Sequence, residues 1–178
     1  MELVRSAAPA RVESALLSRV LAPYKPNCRY LRAATVHATT DGGNELAWAE
    51  GEFAIPESCY IDDTGHFNSV EFNLCYNQLV YVLMAQCVAS RYVPALTRMS
   101  LDEYLLRQLP DVLIHDFHSV FKKPLSPRAF RGTVAIERAA EKARFVLLET
   151  TVAFEDSLGG HANGHVALAI VNRAGAKS

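Results

Sequence analysis

From Asn68 to Tyr92 the chain runs without a glycine or proline, and Val70, Phe72, Leu74, Leu79, Val80, Val82, Leu83, Met84 and Val88 fall on nearly every side of a helical wheel. A helix that is apolar all round is a buried helix. At more than 20 residues this one is long for a core element. Upstream, Val12, Leu16, Val20 and Leu21 recur near helical spacing within Arg11 to Leu21, which predicts a short amphipathic helix stopped by Pro23 and Pro26. Tyr30 to Thr40 and Glu45 to Ile55 are β-leaning runs joined by Asp41-Gly42-Gly43, a hairpin signal. Ser100 followed by Glu103 opens a further short helix to Leu109, before Pro110. Four β-leaning runs then follow: Val112 to Leu125, Phe130 to Ala139, Arg144 to Glu155 and His165 to Val171. Their separators are Pro124 and Pro127, a charged turn region from Glu137 to Lys142, and Gly159-Gly160 with Gly164. Residues 1–10 are small and irregular and read as a loose end.

The order is helix, hairpin, long buried helix, short helix, strand meander. A helix apolar on every side must be wrapped, and one antiparallel sheet curled round it does so. The expected fold is therefore α+β: a single hot-dog domain over 1–178, with a long central helix wrapped by a curved antiparallel sheet and an N-terminal helix. Such a sheet covers only part of the helix, so a homodimer, or a higher oligomer of dimers, is also expected.

The chain has 178 residues, 50% of them apolar, which suits one domain with a substantial core. A formal charge of −1 offers no basic field for nucleic acid. No run of 18 apolar residues occurs and the N-terminal stretch has no signal-peptide core, so the expectation is a cytoplasmic protein without a membrane partner. Cys28, Cys59, Cys75 and Cys87 are widely spaced with no CxxC pair and read as reduced thiols rather than zinc ligands. Cys59 stands nearest the candidate chemistry.

That chemistry gathers where the buried helix begins. Gly65, His66, Asn68 and Glu71 stand at its start, and Asn73, Asn77 and Gln78 occupy positions that ought to be core. Buried amides and carboxylates are costly unless bonded or used. Free N–H groups and the positive end of the helix dipole suit an anion or a developing oxyanion around Phe67 to Ser69. Gly65 lets the backbone approach a ligand, His66 is a general base or acid near neutral pH, and a desolvated Glu71 would share that role. Plainer roles stand beside these: Asn68 with Glu71 forms an N-x-x-E cap, and His66 can be an ordinary loop histidine. An amide ladder at Asn73 and Asn77, on one face with Val70, suits a narrow ligand slot or a dimer seam. Lys122 and Lys123 suit either edge-strand protection or contact with a carboxylate or phosphate. His115 and His118 would face opposite sides of a strand, and His161 and His165 would flank a turn, so no metal site is expected. No P-loop, dinucleotide fingerprint, GxSxG or HExxH occurs.

The run Glu57-Ser58-Cys59-Tyr60, then Thr64-Gly65-His66-Phe67-Asn68 with Glu71, then Cys75-Tyr76-Asn77-Gln78-Leu79, resembles the bacterial type III fatty acyl-CoA thioesterase family. Pro23-Tyr24, Cys28-Arg29-Tyr30-Leu31 and Phe121-Lys122-Lys123-Pro124-Leu125 extend the similarity over most of the chain. The resemblance implies a fatty acyl thioester substrate, carried on an acyl carrier protein or CoA, and no metal or organic cofactor. Two activities are described for the family. One is hydrolysis of long-chain acyl-CoA; the other is conjugate addition of glycine, as co-substrate, to an α,β-unsaturated acyl thioester, releasing a 3-(carboxymethylamino) fatty acid. The second belongs to isonitrile lipopeptide and β-amino-acid polyketide pathways. The family's pocket positions fall on Tyr30, Tyr60, Asn68 and Asn77, with His66 and Glu71 in the same block. His66, Glu71 and Asn68 are thus the expected catalytic residues. Tyr30, Tyr60, Gly65, Phe67, Asn73, Asn77 and Lys123 are expected to bind substrate. A 2-enoyl thioester hydratase and a non-catalytic carrier-binding module are the rival readings.

Overall fold

The structure, a computed structural model, describes residues 5–6, 8–41 and 44–172. The elements in order are β1 (Arg5–Ser6), β2 (Ala10–Arg11), α1 (Ser14–Leu21), β3 (Leu31–Asp41), β4 (Asn44–Phe53), α2 (Ser69–Ser90), α3 (Leu101–Arg107), β5 (Val112–Lys123), β6 (Phe130–Glu141), β7 (Phe145–Glu155) and β8 (His161–Val171). All strand pairs are antiparallel, in the spatial order β1-β3-β4-β6-β7-β8-β5, with β2 also on the edge of β3. The sheet curls round α2, which lies against β3, β4 and β6, with α1 and α3 alongside it. This is the hot-dog arrangement. Gly42 and Gly43, the tip of the expected hairpin, lie outside the described residues. Within the stretch read as a loose end, Arg5–Ser6 and Ala10–Arg11 pair with β3.

Two boundaries differ from the sequence expectation, each for a physical reason. β8 begins at His161, so His161 and His165 lie within a strand rather than beside a turn. Gly164 is not a turn residue: it sits opposite Ser119 and Val152, where a Cβ would come within 2.1 Å of the His118 carbonyl oxygen. Glycine is there because two backbones approach closely. β6 runs on through the charged stretch to Glu141, with a register shift between Ile136 and Arg138. Its charges face solvent, and Arg138 pairs with Glu149 across the ladder.

α2 is nearly buried throughout, only Ser69, Val70 and Ala89 being exposed. Its polar core residues are bonded across long sequence distances. Gln78 is 0% exposed; its Oε1 accepts from the Tyr30 and Leu31 amides at 2.9 and 3.0 Å, and its Nε2 donates to the Cys28 carbonyl at 2.6 Å. The Thr150 hydroxyl donates to the Val166 carbonyl and accepts from the Tyr76 hydroxyl, both at 2.8 Å. Tyr104 ties α3 to α2 through a 2.9 Å bond to the Tyr81 carbonyl. Around the start of α2, Phe67, Phe72, Phe121, Phe130 and Phe154 interlock, with Phe67 within 4.9 Å of Phe130 and 5.2 Å of Phe154 by ring centroid. Edge-to-face contacts of this kind add to simple area burial, and they make a rigid platform behind the helix N-terminus.

Candidate active site

Asn68 caps α2 in extended backbone conformation. Its Oδ1 accepts from the Val70 and Glu71 amides at 3.0 and 3.1 Å, while Glu71 Oε2 reaches back to the Asn68 amide at 3.4 Å. Both halves of a capping box are present. Asn68 Oδ1 also accepts from the Tyr60 hydroxyl at 2.8 Å, so the cap residue joins the helix to the preceding loop. Its Nδ2 is buried with no partner.

Glu71 is 3% exposed. Burial raises its pKa above the ordinary carboxylate value, and the charge of Asp63 adds to this; the Ser58 hydroxyl, the Asn68 amide and His66 work against it. Tyr60 is likewise shifted upward, first by desolvation and then by Glu71, and so remains a neutral donor. His66 is exposed, with Nδ1 3.0 Å from the Thr64 carbonyl oxygen. A carbonyl only accepts, so this contact assigns the proton to Nδ1 and leaves Nε2 free to accept. Gly65 takes φ +76° to make this turn, and its amide donates to Asp63 at 2.7 Å. Arg128 secures the same loop through Asp63, at 2.6 Å, and through the Pro56 carbonyl.

A cleft of about 790 Å³ opens here, lined by Gly65, His66, Phe67, Asn68, Ser69 and the β5 segment from Phe121 to Pro124. Of the sequence-predicted residues, Gly65, His66, Phe67, Asn68 and Lys123 thus share one cleft. Phe67 contributes wall rather than a free ring, because its side chain is 1% exposed within the aromatic platform. Tyr60 joins through its bond to Asn68, and Glu71 stands behind Asn68 through the cap. Tyr30 is 1% exposed, and its hydroxyl accepts from the Cys59 amide at 2.9 Å; it holds the loop from behind. Asn73 and Asn77 lie further along α2, half-buried and bonded to each other at 3.2 Å, outside the cleft lining.

The expected group of oxyanion amides requires correction. The Phe67 amide already donates to the Leu125 carbonyl at 2.9 Å, and the Asn68 amide is turned toward Glu71, which leaves the Ser69 amide. The cap side chain adds Asn68 Nδ2 as a donor, while the Tyr60 hydroxyl proton is committed to Asn68 Oδ1. His118 stacks on His165 across the β5–β8 ladder, with ring centroids 4.9 Å apart. Among the described residues no three His, Cys, Asp or Glu side chains cluster as a metal site, and no helix is long and apolar enough to cross a membrane. The Glu57-Ser58-Cys59-Tyr60 run carried part of the resemblance and put Tyr60 at the pocket; what sequence reasoning missed is its fastening by Tyr30 and Asn68.

Comparison with known proteins bears on this site directly, since residues 19–170 match the model of the FcoT-like thioesterase domain. The chain belongs to that family. A Streptomyces coeruleorubidus protein named (2E)-enoyl-ACP glycyltransferase is 44% identical over 165 residues, covering 90% of this chain and 98% of its own. Proteins of the same name from Mycobacterium marinum and Mycobacterium tuberculosis are 39% and 38% identical, covering 95% and 96% of this chain and 92% and 93% of their own. Among solved structures, yhdA of Lactococcus lactis, a proposed thioesterase, aligns with a TM-score of 0.53 at 8% identity, over 80% of this chain and 95% of its own. A proposed thioesterase of Syntrophus aciditrophicus aligns at 0.50 and 11% identity, over 88% and 95%. At such identities the structural likeness establishes the fold, and the family membership rests on the sequence.

Proposed function

We propose that this protein adds glycine to C3 of an α,β-unsaturated fatty acyl thioester and then hydrolyses the thioester, giving a 3-(carboxymethylamino) fatty acid. The observation that carries the reading is a buried carboxyl, Glu71, linked through Asn68 to Tyr60 at a cleft whose rim bears Lys122 and Lys123. The name shared by the curated relatives supports the glycine step, and the thioesterase-domain family supports the hydrolytic one.

In this reading the thioester carbonyl takes hydrogen bonds from the Ser69 amide and Asn68 Nδ2, with Tyr60 holding the Asn68 side chain in place through its own hydroxyl proton, and this draws electron density from the double bond. Glycine is mainly an ammonium at neutral pH, so Glu71 or His66 Nε2 must remove a proton before nitrogen attacks C3. The resulting enolate is protonated at C2, and the nitrogen loses its second proton. Water then attacks the carbonyl at the same donors, and the carrier thiol departs. In this reading Lys123, or its neighbour Lys122, meets the glycine carboxylate at the rim. Phe67 shapes the wall, Tyr30 acts indirectly by holding the loop at Cys59, and Asn73 with Asn77 stands further along α2, beyond the lining.

The protein acts in this reading as one unit over 1–178, in the cytoplasm, without metal or organic cofactor and without nucleic-acid or membrane partners. Its thioester is carried by an acyl carrier protein or CoA. A homodimer, or an oligomer of dimers, is part of the proposal. β5 ends the sheet with one edge unpaired by any described strand, and Leu113, Ile114 and Phe121 are exposed along it. Such an edge invites a second copy.

The test is mass spectrometry of products from a medium-chain 2-enoyl thioester with isotopically labelled glycine. Label in a free fatty acid at the mass of addition plus cleavage supports the proposal. Unlabelled fatty acid formed equally without glycine reduces it to a thioesterase, a 3-hydroxy product points to a hydratase, and no turnover leaves a carrier-binding module.

A further inference from the structure

The loop between β4 and α2 is fastened at consecutive residues. The Cys59 amide donates to the buried Tyr30 hydroxyl at 2.9 Å, and the Tyr60 hydroxyl donates to Asn68 at 2.8 Å. Ser58 is therefore not free to wander. Its Oγ is fully buried and has no well-formed hydrogen bond, an arrangement that costs stability unless it is used. Close to it is the Glu71 carboxyl, whose bond from the Asn68 amide is long, at 3.4 Å. The Ser58 hydroxyl lacks a well-formed partner and sits near enough to this carboxyl to favour its charged form.

We infer that Ser58 is a positioning residue for Glu71: its hydroxyl donates to the carboxylate whenever that group is charged and holds it in one orientation. The inference rests on the reading of Glu71 as an acid–base group and extends it to a residue that the sequence alone did not single out. The other groups that sense the Glu71 charge are Asp63, His66 and Tyr60 from the loop and Cys75 from its own helix. Asp63 is held by Arg128 and by the Gly65 amide, and Tyr60 by Asn68. Ser58 and the Asn68 side-chain amide are thus the neighbours whose donors remain uncommitted, and Asn68 Nδ2 is the one given to the thioester carbonyl in the proposed mechanism. A donor to the charged form favours that form, so losing the hydroxyl should make Glu71 hold its proton more tightly.

The experiment titrates Glu71 by carbon-13 NMR in protein labelled at glutamate side-chain carboxyls, with the Glu71→Gln spectrum identifying the resonance. Ser58→Ala should move the midpoint upward by about one pH unit, as expected for losing a hydrogen bond to a charged group, and Ser58→Thr should restore it. The acidic limb of the kcat/KM profile for the enoyl thioester with glycine should move and return in step. An unchanged Glu71 midpoint in Ser58→Ala overturns the inference. If Glu71→Gln keeps wild-type turnover and pH profile, the acid–base reading fails instead, while the NMR shift still decides whether Ser58 governs this carboxyl. Circular dichroism of both serine variants excludes a general loss of fold.

Discussion

Replacing Gln78 by leucine keeps the volume of a buried side chain and removes its polar atoms. The consequence can be worked from its bonds. Two buried backbone donors, the Tyr30 and Leu31 amides, lose their acceptor, and the Cys28 carbonyl loses a donor. An unsatisfied buried donor costs about 1–3 kcal/mol. The half-exposed turn at Cys28 can recruit water, so its carbonyl adds little. Apolar atoms in place of the amide return about 1–2 kcal/mol. The net loss is then about 1–4 kcal/mol, a large part of the roughly 5–15 kcal/mol that holds a folded protein together. For a chain of this size that corresponds to a fall of roughly 2–15 °C in Tm. Urea unfolding of Gln78→Leu should show the midpoint lowered with the slope unchanged.

The same substitution should reach the active site. Tyr30 begins the strand that Gln78 clamps, and its hydroxyl holds the Cys59 amide. Loosening the turn loosens the strap, so turnover should fall under conditions where the variant is fully folded. Gln78→Glu separates hydrogen bonding from packing. Only its protonated form supplies both an acceptor for the two amides and a donor for Cys28, so this variant should approach wild-type stability at low pH and lose stability as pH rises. A loss below about 1 kcal/mol in Gln78→Leu, given the usual cost of such donors, would refute the account, as would a Gln78→Glu deficit that does not change with pH.

Three further outcomes are expected. Because burial raises the Glu71 pKa, the folded state binds more protons than the unfolded chain between the ordinary and raised values, and this group's contribution to stability falls as pH rises through that window. Glu71→Gln can still accept at the third helical position, so its Tm relative to wild type should climb as pH rises from the ordinary carboxylate value through the raised one; a difference independent of pH would contradict the shift. Gly132→Ala, whose Cβ would come within 2.5 Å of the Phe154 ring, should cost about 1–3 kcal/mol in urea unfolding. Arg91 ends α2 at φ 57°, with the Tyr92 amide bonded back to the Cys87 carbonyl at 2.9 Å. Arg91→Gly should relieve this left-handed conformation and stabilise the protein by about 0.5–1 kcal/mol, raising Tm by a few degrees.

What the sequence revealed and what it concealed divide by the reach of the interaction. The α2 cap was legible because Asn68 and Glu71 are three residues apart and act on each other's backbone. The buried length of α2 was legible because no glycine or proline interrupts its apolar run. Gly164 was misread because a glycine between polar residues looks the same whether the chain turns there or another strand presses close; only the facing His118 carbonyl decides. Gln78 looked anomalous on its helix because the three groups it satisfies lie 47 to 50 residues upstream. The site follows the same division. His66, Asn68 and Glu71 could be proposed from one short block, but the strap above them depends on Tyr30, 29 residues before Cys59 in the chain. A local cap makes a helix start; that long-range bond decides which loop residue faces the carboxyl. The chemistry proposed for Glu71 consequently depends as much on the β3 strand that positions Tyr30 as on the helix that carries the carboxyl itself.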